Sequence, residues 1–549
     1  MFIRSKKRGD KTYLMIVKNE RLGKRIKQTV LHSLGRLDVL QASGELDGLL
    51  LSGQRFSRDM AILSAHARGE TITLATQRIG PGLIFDRLWR ILQIDKILAE
   101  YQQSRKFGFK VERAIFLTVL HRLFAPGSDR AAEKWKTGYQ IAGAEKLELH
   151  QLYRAMAWLG EKLPQAEQGG ATPFSPRCVK DDVEEALFSR RRNLFSGLDL
   201  IFFDTTSIYF EGEGGESLGQ YGYSKDHRPD LKQMVVGIIL DGEGRPICCE
   251  LWPGNTSDVK TLVPIAQRLK KRFGVERICL VADRGMVSAN TLTELENEKW
   301  QYILGARMHR VKEVKEEVLA RGGRYEKVYA KSLDAKAPSP LKVKEVEVNG
   351  QRYIVCLNED QSEKDRHDRE TIVEGLRKAL KQGDKSLVGN KGYRRYLKAG
   401  GKTHFEVDEE KLKKASRYDG KWVLTTNTTL SARKVALKYK QLWMVEDMFR
   451  SMKTLVETRP IYHQSDEAIR GHVFCSFLAL LLRKELGDRL KVNGCDLEWK
   501  DILRDLDELV EAKIGVNGKQ YLIRGETRGS VGKVAQACGV ALPPNIQAG

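Results

Sequence analysis

Two short apolar runs, each of which stops at an aspartate, constrain the fold of this chain more than any other feature. Residues Leu200 to Phe203 precede Asp204, and residues Ile278 to Ala282 precede Asp283. Uninterrupted apolar residues over the length of a strand are typical of buried strands in a sheet that is covered on both faces. The two runs therefore predict two buried strands, each with an aspartate at its end.

The two aspartates are candidates for a shared metal site. Open α/β sheets bind ligands outside the carboxyl ends of their strands, so two adjacent strands of this kind would bring two carboxylates close together. Mg²⁺ and Mn²⁺ prefer carboxylate oxygens and also bridge to phosphate. The alternative is that each aspartate is only a helix N-cap or a turn residue, which is the commoner outcome for one such aspartate taken alone.

The charge of the chain favours an anionic partner. Among the 549 residues, 94 Lys and Arg stand against 72 Asp and Glu, which gives a formal net charge of +22 and a pI near 9.5. A field of this sign attracts polyanions, and nucleic acid is the first candidate. The length allows several domains, and the apolar fraction is that of a globular protein rather than of a disordered basic tail.

Nothing in the sequence predicts a membrane span or a disulfide framework. The longest apolar stretch, Phe474 to Leu482, is much shorter than a bilayer requires, and the N-terminus has no signal-peptide pattern. The eight cysteines are scattered without paired CxxC spacing, so they predict reduced core thiols rather than a zinc module. We expect a soluble cytosolic protein.

The first 36 residues are rich in basic side chains, with interleaved apolar residues that predict a small sheet with a basic face. The alternatives are phosphate contact and an ordinary solvated charge run. Lys6, Lys7, Arg8, Lys24 and Arg25 are the candidates for contacts with DNA. The eleven basic residues are Arg4, Lys6, Lys7, Arg8, Lys11, Lys18, Arg21, Lys24, Arg25, Lys27 and Arg36.

Two further segments frame the predicted core. Between residues 111 and 163 apolar residues recur at helical spacing, which leaves a helix-turn-helix reader of DNA and plain core packing both open. Between residues 308 and 420 the chain is basic and strand-rich, with a hairpin that turns at Asn349 and Gly350 and a helix from Glu370 to Lys381. The second segment predicts an inserted subdomain.

From residue 198 onward the order of predicted elements is that of a ribonuclease-H-like core, with three strands followed by helix, strand, helix and strand. The runs are the strand that ends at Asp204, Gln233 to Leu240, Pro246 to Leu251, the helix Asp258 to Phe273, the strand that ends at Asp283, the helix Ala289 to Lys299, and Tyr302 to Ala306.

A further strand, Trp422 to Thr425, precedes a segment that predicts one long helix from Ser431 past Lys453. On such a helix Tyr439, Glu446 and Lys453 are seven residues apart and lie nearly in line. Trp443 and Arg450 stand between them. The alternative is an exposed face on which Glu446 pairs with Arg450.

At these positions the sequence resembles bacterial insertion-sequence transposases of the DDE type, in the branch with a β-rich insertion between the second Asp and the Glu. Asp204 in FFDTTSIYF, Asp283 in LVADRGM and Glu446 in YKQLWMVEDMFRSMK match the triad. The helix motif of this branch has Tyr, Arg, Glu and Lys, and Leu442 stands where Arg is usual. Similarity continues in GYSKDHRPDLKQM, PGNTSDVKTL and RPIYHQSDEAIRGHVF, and covers roughly residues 100 to 485.

The resemblance implies a DNA transposase that recognises the terminal inverted repeats of its insertion sequence, cuts at the ends and joins them to target DNA. Two ions of Mg²⁺ or Mn²⁺, held by Asp204, Asp283 and Glu446, would flank the scissile phosphate. Asp258 and His227 are assigned structural roles. The candidates for DNA contact are Arg284, Arg450 and Lys453 on phosphates and Tyr439 or Trp443 on an unpaired base.

We therefore expect an α/β protein with a ribonuclease-H-like mixed-sheet catalytic core and a β-rich insertion, preceded by a basic, mostly helical DNA-binding region. The predicted division is a basic N-terminal DNA-binding region (1–100), a helical DNA-binding region (101–196), the first part of the core (197–307), the insertion (308–420), the second part of the core with the Glu helix (421–487) and a C-terminal helical region (488–549).

The expected partners are double-stranded DNA, as inverted repeats and as target, and a second copy of the chain in a synaptic homodimer, with no membrane. The apolar stripe that begins at Trp499 and includes Ile502, Leu506 and Leu509 would pack on another subunit or within its own chain. The expected location is the bacterial cytoplasm, at the nucleoid. A nuclease with the same core and a non-catalytic DNA-binding derivative are the alternative functions.

Overall fold

The computed structural model describes residues 2–22, 25–54, 69, 72–103, 105–169, 171, 175–191, 199–275, 278–331, 337–382, 395–400, 404–516 and 519–548. The chain forms two compact units. The first comprises Met1–Pro81, Gly138–Gln140 and Leu497–Gly549, and the second, which contains the predicted catalytic core, comprises Gly82–Thr137 and Ile141–Asp496.

The first unit begins with a three-stranded antiparallel sheet of β1 (Phe2–Arg8), β2 (Lys11–Leu22) and β3 (Arg25–Arg36). This confirms the small sheet predicted from the interleaved apolar residues. The helices Leu37–Ala42 and Glu45–Gln54 follow it, and the first of them packs on β2 and β3. The basic N-terminal segment is therefore a folded sheet rather than a set of helices.

A second sheet in this unit joins the two ends of the sequence. Its four antiparallel strands run in the order β18 (Ile546–Ala548), β17 (Lys519–Arg524), β16 (Val510–Val516) and β4 (Ile72–Arg78). The C-terminal region, predicted to be helical, thus also supplies three strands. Its helices are Trp499–Glu508 and Val531–Cys538, which pack against each other.

This packing decides between the two interpretations of the C-terminal apolar stripe. Ile502, Leu506 and Leu509 are buried within the first unit. The stripe therefore packs within its own chain and offers no support for a subunit interface.

The second unit is built on a nine-stranded mixed sheet. The strand order is β10-β11-β12-β15-β9-β8-β5-β6-β7, and a separate hairpin pairs β13 with β14. The bounds are β5 Asp199–Tyr209, β6 Gln233–Leu240, β7 Pro246–Pro253, β8 Ile278–Ala282, β9 Gln301–Gly305, β10 Glu326–Tyr329, β11 Leu341–Val348, β12 Gln351–Leu357, β13 Leu397–Gly400, β14 His404–Val407 and β15 Lys421–Thr426.

Only the pairs β5–β8 and β8–β9 are parallel, and the other pairs in the large sheet are antiparallel. The predicted order of three strands, helix, strand, helix and strand is confirmed for β5 to β9, and the hairpin at Asn349 and Gly350 is also present. Three strands of the predicted insertion, β10, β11 and β12, extend this sheet, because β12 pairs with β15 and β15 pairs with β9. The other two strands that the structure describes there, β13 and β14, form the separate hairpin.

Helices cover both faces of the sheet. No helix among the described residues is long and apolar enough to span a membrane. The α-helices of the second unit within the described ranges are Ile94–Gln102, Val111–Phe124, Asp129–Trp135, Leu149–Leu159, Val179–Arg191, Leu262–Phe273, Ala289–Asn297, Glu359–Gln382, Glu409–Ser416, Ala432–Lys440, Trp443–Thr454 and Asp466–Val492, and the helix Gly80–Ile91 begins at its boundary.

Several helices differ from the sequence prediction. The helix predicted to begin at Glu370 begins at Glu359, and the one predicted from Asp258 is a 3₁₀ turn followed by Leu262–Phe273. The helix Val111–Phe124 is buried along nearly all of its residues and packs on Leu149–Leu159, while both pack on Asp466–Val492. Of the two alternatives for this region, core packing is the one observed.

A cluster of buried charges fastens two helices to the sheet. Arg272 donates to Glu184 (2.8 Å) and Glu250 (2.9 Å), and Arg268 donates to Glu250 (3.0 Å). Lys180 pairs with Asp181 at 2.9 Å. Three cations thus face three carboxylates, and each of the six side chains is at most 4% exposed. Because such charges have no access to water, removing one leaves its partners uncompensated.

Arg272→Ala should therefore lower the free energy of unfolding by about 3–5 kcal/mol. Lys270→Ala on the same helix is the matched control, since the Lys270–Glu298 pair is 3.4 Å long and roughly half exposed. The control should change stability by at most about 1 kcal/mol. Urea unfolding of both variants and the parent measures the difference, and equal transition midpoints for the two variants would contradict the account.

Candidate active site

The parallel pairing of β5 with β8 brings the two predicted aspartates together. The last aligned pair is Phe203 with Ala282, so Asp204 and Asp283 follow at the same edge of the pair. Asp283 comes directly after the end of β8, as predicted. Asp204 does not end its strand, because β5 continues along antiparallel β6 as far as Tyr209. The prediction of a strand end at Asp204 is wrong for this reason.

The alternation of side chains along β5 decides which face the site occupies. Ile201 and Phe203 belong to the core cluster beneath the helix Leu262–Phe273. Successive side chains of a strand point to opposite faces, so Asp204 lies on the other face. The helix Trp443–Thr454, which carries Glu446, packs on β5 and β6. Its apolar residues Val445, Phe449 and Met452 are buried, as predicted.

The Asp204 carboxylate is in an environment that disfavours its charge. Burial is the main cause that raises its pKa to about 6, and the nearby carboxylates of Asp283 and Asp258 raise it further. The ammonium of Lys225 and the backbone N–H of Thr205 act in the opposite direction. The Thr205 N–H donates to Asp204 Oδ1 at 2.7 Å. Three carboxylates therefore lie near one another at this edge of the sheet.

Asp283 is held by a tyrosine rather than by a helix terminus. It precedes a 3₁₀ turn, Arg284–Met286, but makes no side-chain capping bond to it. Instead the Tyr439 hydroxyl donates to Asp283 Oδ1 at 2.9 Å. Burial and then the charge of Asp283 raise the pKa of the Tyr439 phenol, so the hydroxyl remains a donor. The interpretation of Asp283 as a simple N-cap is therefore excluded.

The loop after Asp283 is fixed from two sides. The Arg307 guanidinium donates to the carbonyl oxygens of Arg284 (2.9 Å) and Gly285 (2.7 Å). A Cβ atom at Gly305 would lie 2.7 Å from the Tyr439 hydroxyl and 2.8 Å from the Arg284 nitrogen. Glycine is thus required at the end of β9, where β9, the Asp283 loop and Tyr439 meet.

The single long helix predicted from Ser431 to beyond Lys453 is wrong, since two helices occupy the segment. Ala432–Lys440 and Trp443–Thr454 are joined at Gln441 and Leu442 by backbone bonds of the i to i+3 type, which tighten the chain into a 3₁₀-like turn. Leu442, at the position where the family has Arg, is buried. Tyr439 and Glu446 therefore lie on different helices, and the argument that they align on one face does not hold.

Glu446 is exposed and makes no hydrogen bond or ion pair with any described residue. The predicted alternative pair with Arg450 is absent, because Arg450 lies 3.7 Å from Asp447 instead. Among the residues that the structure describes, no three Asp, Glu, His or Cys side chains are grouped so that they could hold a metal ion. The structure thus brings Asp204 and Asp283 together without bringing Glu446 to them.

The other predicted DNA contacts divide into exposed and occupied side chains. Trp443 is 60% exposed, Arg450 is 70% exposed, and Arg284 is also exposed. Lys453 is only 12% exposed and pairs with Asp226 at 2.8 Å, and Arg459 binds the same carboxylate oxygen at 3.0 Å. The positive charge of Lys453 is therefore already paired with an aspartate of the same chain.

The N-terminal candidates lie on both faces of their sheet. Lys6 aligns with Tyr13 and Arg8 with Lys11, so Lys6 and Arg8 share one face of β1 while Lys7 points to the other. All three are exposed. Lys24 lies outside the described residues, and for Arg25 only the backbone is described.

Sequence reasoning missed a polar network beside Asp204. The Thr205 hydroxyl donates to Asp258 Oδ1 (2.7 Å), and the Lys225 ammonium lies 3.2 Å from Asp258 Oδ2. Asp258 therefore lies in the network beside Asp204, whereas His227 is exposed. The sequence feature that could have indicated this network is the pair of motifs GYSKDHRPDLKQM and PGNTSDVKTL, which contain Lys225 and Asp258.

Two models of known families match the chain. Residues 195–482 match the family model described as Transposase DDE domain, which spans more than half of the chain and all nine strands of the large sheet. Residues 3–65 match the N-terminal domain of the IS1634 family transposases. The chain belongs to the DDE family of insertion-sequence transposases. No curated protein matches this transposase.

Family membership implies DNA as the partner of the transposase and divalent metal ions as its cofactors. The donor chemistry of the site fits such ions. The side chains here offer carboxylate oxygens, which hard cations prefer. Asp204, Asp258 and Asp283 repel one another, and a bound cation would offset their negative charges. Glu446 offers a further acidic side chain on the helix that packs on β5 and β6.

The raised pKa of Asp204 makes a prediction about stability in metal-free buffer. Because the folded protein holds this proton more tightly than the unfolded chain, whose carboxyl has the ordinary value of 3.8, stability should fall as the pH rises from about 4 to above 6. At about 1.4 kcal/mol per pKa unit, the loss is roughly 3 kcal/mol.

Asp204→Asn should abolish this loss, so the variant should exceed the parent in stability at pH 7.5 and match it near pH 4. Urea unfolding across this range, in the presence of a chelator, measures the effect. Asp496→Asn, which removes a carboxylate from an exposed position, is the control. A constant difference between Asp204→Asn and the parent at all pH values would contradict the raised pKa.

Proposed function

We propose that the transposase binds the terminal inverted repeats of its insertion sequence, cuts the DNA at both ends and joins the ends to target DNA. The observation that carries the proposal is the meeting of Asp204 and Asp283 at the edge of the parallel β5–β8 pair, in a chain of the DDE transposase family. Metal-dependent cleavage of a phosphodiester needs several oxygen ligands that converge on the divalent cations. This pair of strands supplies two carboxylates for that purpose.

The strand order supports a ribonuclease-H-like core. The sequence of neighbours β7-β6-β5-β8-β9 places the first strand in the middle, an antiparallel hairpin on one side and two parallel strands on the other. With this order, the first strand and the fourth strand of the core are adjacent. Their two aspartates are then neighbours without any contribution from loops.

Two ions of Mg²⁺ or Mn²⁺, bound by Asp204, Asp283 and Glu446, would activate a water or a DNA 3′-hydroxyl and stabilise the departing oxygen. Asp204 and Asp283 hold their positions through Thr205 and Tyr439, respectively. Glu446 has no partner among the described residues, so its side chain is free to turn toward the aspartates. In this proposal no side chain acts as the nucleophile.

The exposed side chains around this face suit contacts with DNA. Arg284 follows the second aspartate directly, and Arg450 and Trp443 lie on the same helix as Glu446, so each part of the proposed triad except Asp204 has an exposed cation or aromatic ring near it in the sequence. Tyr439 is better placed to orient Asp283 than to stack on a base, because its hydroxyl is already engaged. Lys453 would reach a phosphate only by leaving Asp226.

Lys6, Lys7, Arg8, Lys24 and Arg25 of the N-terminal segment would supply phosphate contacts and much of the salt-dependent affinity for DNA. Since each chain contains one set of carboxylates and an insertion sequence has two ends, we propose a homodimer in the synaptic complex. The proposed location is the bacterial cytoplasm, at the nucleoid.

Asp204→Asn, Asp283→Asn and Glu446→Gln should each reduce cleavage of an end-containing duplex by at least about 100-fold, since even outer partners of a metal site are worth 10 to 100-fold. Each change removes a ligand charge at nearly constant volume, so binding of the duplex should be retained. A gel assay with Mg²⁺ measures cleavage, and a mobility-shift assay measures binding.

Asp447→Asn is the matched control, because Asp447 neighbours Glu446 on the same helix and lies near Arg450 and Arg483. It should cut at close to the parental rate. If Glu446→Gln also cut at that rate, Glu446 would lose its assigned role, and if either aspartate variant did so, the proposed reaction would fail.

A further inference from the structure

We propose that Thr205, Lys225 and Asp258 are positioning residues for the Asp204 carboxylate, and that they set the affinity of this site for its divalent cation. The inference rests on the proposed function and deepens it. Its basis is a chain of short contacts that links three segments of the second unit, β5, the loop that contains Lys225 and the turn that contains Asp258.

Thr205 is the centre of this chain. It is buried on β5, and three of its groups are engaged. Its backbone N–H donates to Asp204 (2.7 Å), its hydroxyl donates to Asp258 (2.7 Å), and its carbonyl oxygen accepts from the Lys225 ammonium (2.7 Å). Thr205, whose amide orients Asp204, is therefore itself held by the Asp258 carboxylate and the Lys225 ammonium.

Lys225 is anchored at its backbone as well as at its ammonium. Its N–H donates to the Ser207 hydroxyl oxygen at 2.8 Å, one residue pair further along β5. Ser224 Oγ accepts from the N–H groups of Asp226 (3.3 Å) and Arg228 (3.0 Å), which shapes the loop locally. The ammonium also lies 3.0 Å from the Thr205 hydroxyl oxygen, so it reaches every member of the network except Asp204 directly.

The segments that contain Lys225 and Asp258 approach each other closely at two glycines, Gly222 and Gly254. A Cβ atom at Gly222 would lie 2.0 Å from the Gly254 carbonyl oxygen, and one at Gly254 would lie 2.1 Å from the Gln233 carbonyl oxygen. The backbones of the two segments are therefore in direct contact. This packing brings the two segments together close to Lys225 and Asp258 in the sequence.

The charges of the network match the needs of a cation site. Asp204, Asp258 and Asp283 repel one another, and Lys225 offsets part of that repulsion from outside the face that a divalent ion would use. The Thr205 hydroxyl keeps Asp258 directed at Thr205 and Lys225. Without that hydroxyl, Asp258 loses a donor and Thr205 loses one of its anchors, so the Asp204 carboxylate is less well preorganised for the metal.

Thr205→Val tests the inference, because it removes only the hydroxyl at nearly constant shape. We expect the Mg²⁺ concentration for half-maximal cleavage to rise by about 10 to 100-fold, with most of the rate regained at saturating Mg²⁺. Thr205→Ser keeps the hydroxyl and should stay within about threefold of the parent. Binding of Mn²⁺ to the protein without DNA, followed by electron paramagnetic resonance, should weaken by the same factor as the Mg²⁺ dependence.

Thr206→Val is the matched control, since Thr206 is the next residue of β5, is also buried and points to the face opposite Thr205, away from the Thr205 contacts with Asp258 and Lys225. It should leave the Mg²⁺ dependence and Mn²⁺ affinity unchanged. Asp258→Asn, at a partly exposed position, is a second test that does not depend on a buried threonine. It should raise the Mg²⁺ requirement in the same direction, and the double variant Thr205→Val with Asp258→Asn should be no worse than the more severe single variant.

The outcomes separate the inference from the proposed function. If Thr205→Val and Asp258→Asn match Thr206→Val in both Mg²⁺ dependence and Mn²⁺ affinity while Asp204→Asn is inactive, the positioning role is overturned and the proposed reaction stands. If Asp204→Asn cuts at the parental rate, the proposed reaction itself fails. A loss of rate in Thr205→Val that saturating Mg²⁺ does not restore, with unchanged Mn²⁺ affinity, also overturns the inference.

Discussion

The parallel pairing of β5 with β8 is the constraint on which the rest of the site depends. Its register aligns Phe203 with Ala282 and so makes Asp204 and Asp283 neighbours. A slip of one residue would move Asp204 to the face beneath the helix Leu262–Phe273 and away from the Glu446 helix. Specific packing opposes such a slip, because the Phe203 ring lies against Gly237 of β6, where a Cβ atom would be 2.8 Å from that ring. A residue that predicts the strand therefore also helps to determine the register of the site.

The two faces of the large sheet serve different purposes. One face is fastened by the buried charges around Arg272, which leave the two helices there little freedom. The other face holds the carboxylates beneath two helices joined by a tight turn at Gln441 and Leu442. Because that turn separates Tyr439 from Glu446, one helix can orient Asp283 while the other presents Glu446 independently. This separation of Tyr439 and Glu446 follows from the break between the two helices, which the sequence motif did not predict.

The sequence was sufficient for the strand order of the core, the hairpin at Asn349 and the pair of aspartates, because these depend on local periodicity and turn chemistry. It was insufficient where contacts between distant segments decide. The continuation of β5 past Asp204 depends on pairing with β6, and the joining of the insertion to the main sheet depends on the pairing of β15 with β12. The contacts of Lys225 and Asp258 with Thr205 join segments that are distant in the sequence, and no residue spacing encodes them. The pairing of Lys453 with Asp226 likewise joins distant segments, so the helix motif does not reveal it.

Asp204 and Asp283 are proposed to form a divalent-cation site together. Crystals of the full chain soaked in Mn²⁺ and measured at the manganese absorption edge test this proposal most directly. The account predicts an anomalous peak at coordination distance, about 2.0–2.3 Å, from carboxylate oxygens of both aspartates. It also predicts that the peak is lost in Asp204→Asn crystals. A protein that diffracts well and shows manganese only elsewhere, or at these residues equally in the Asn variant, would contradict the account.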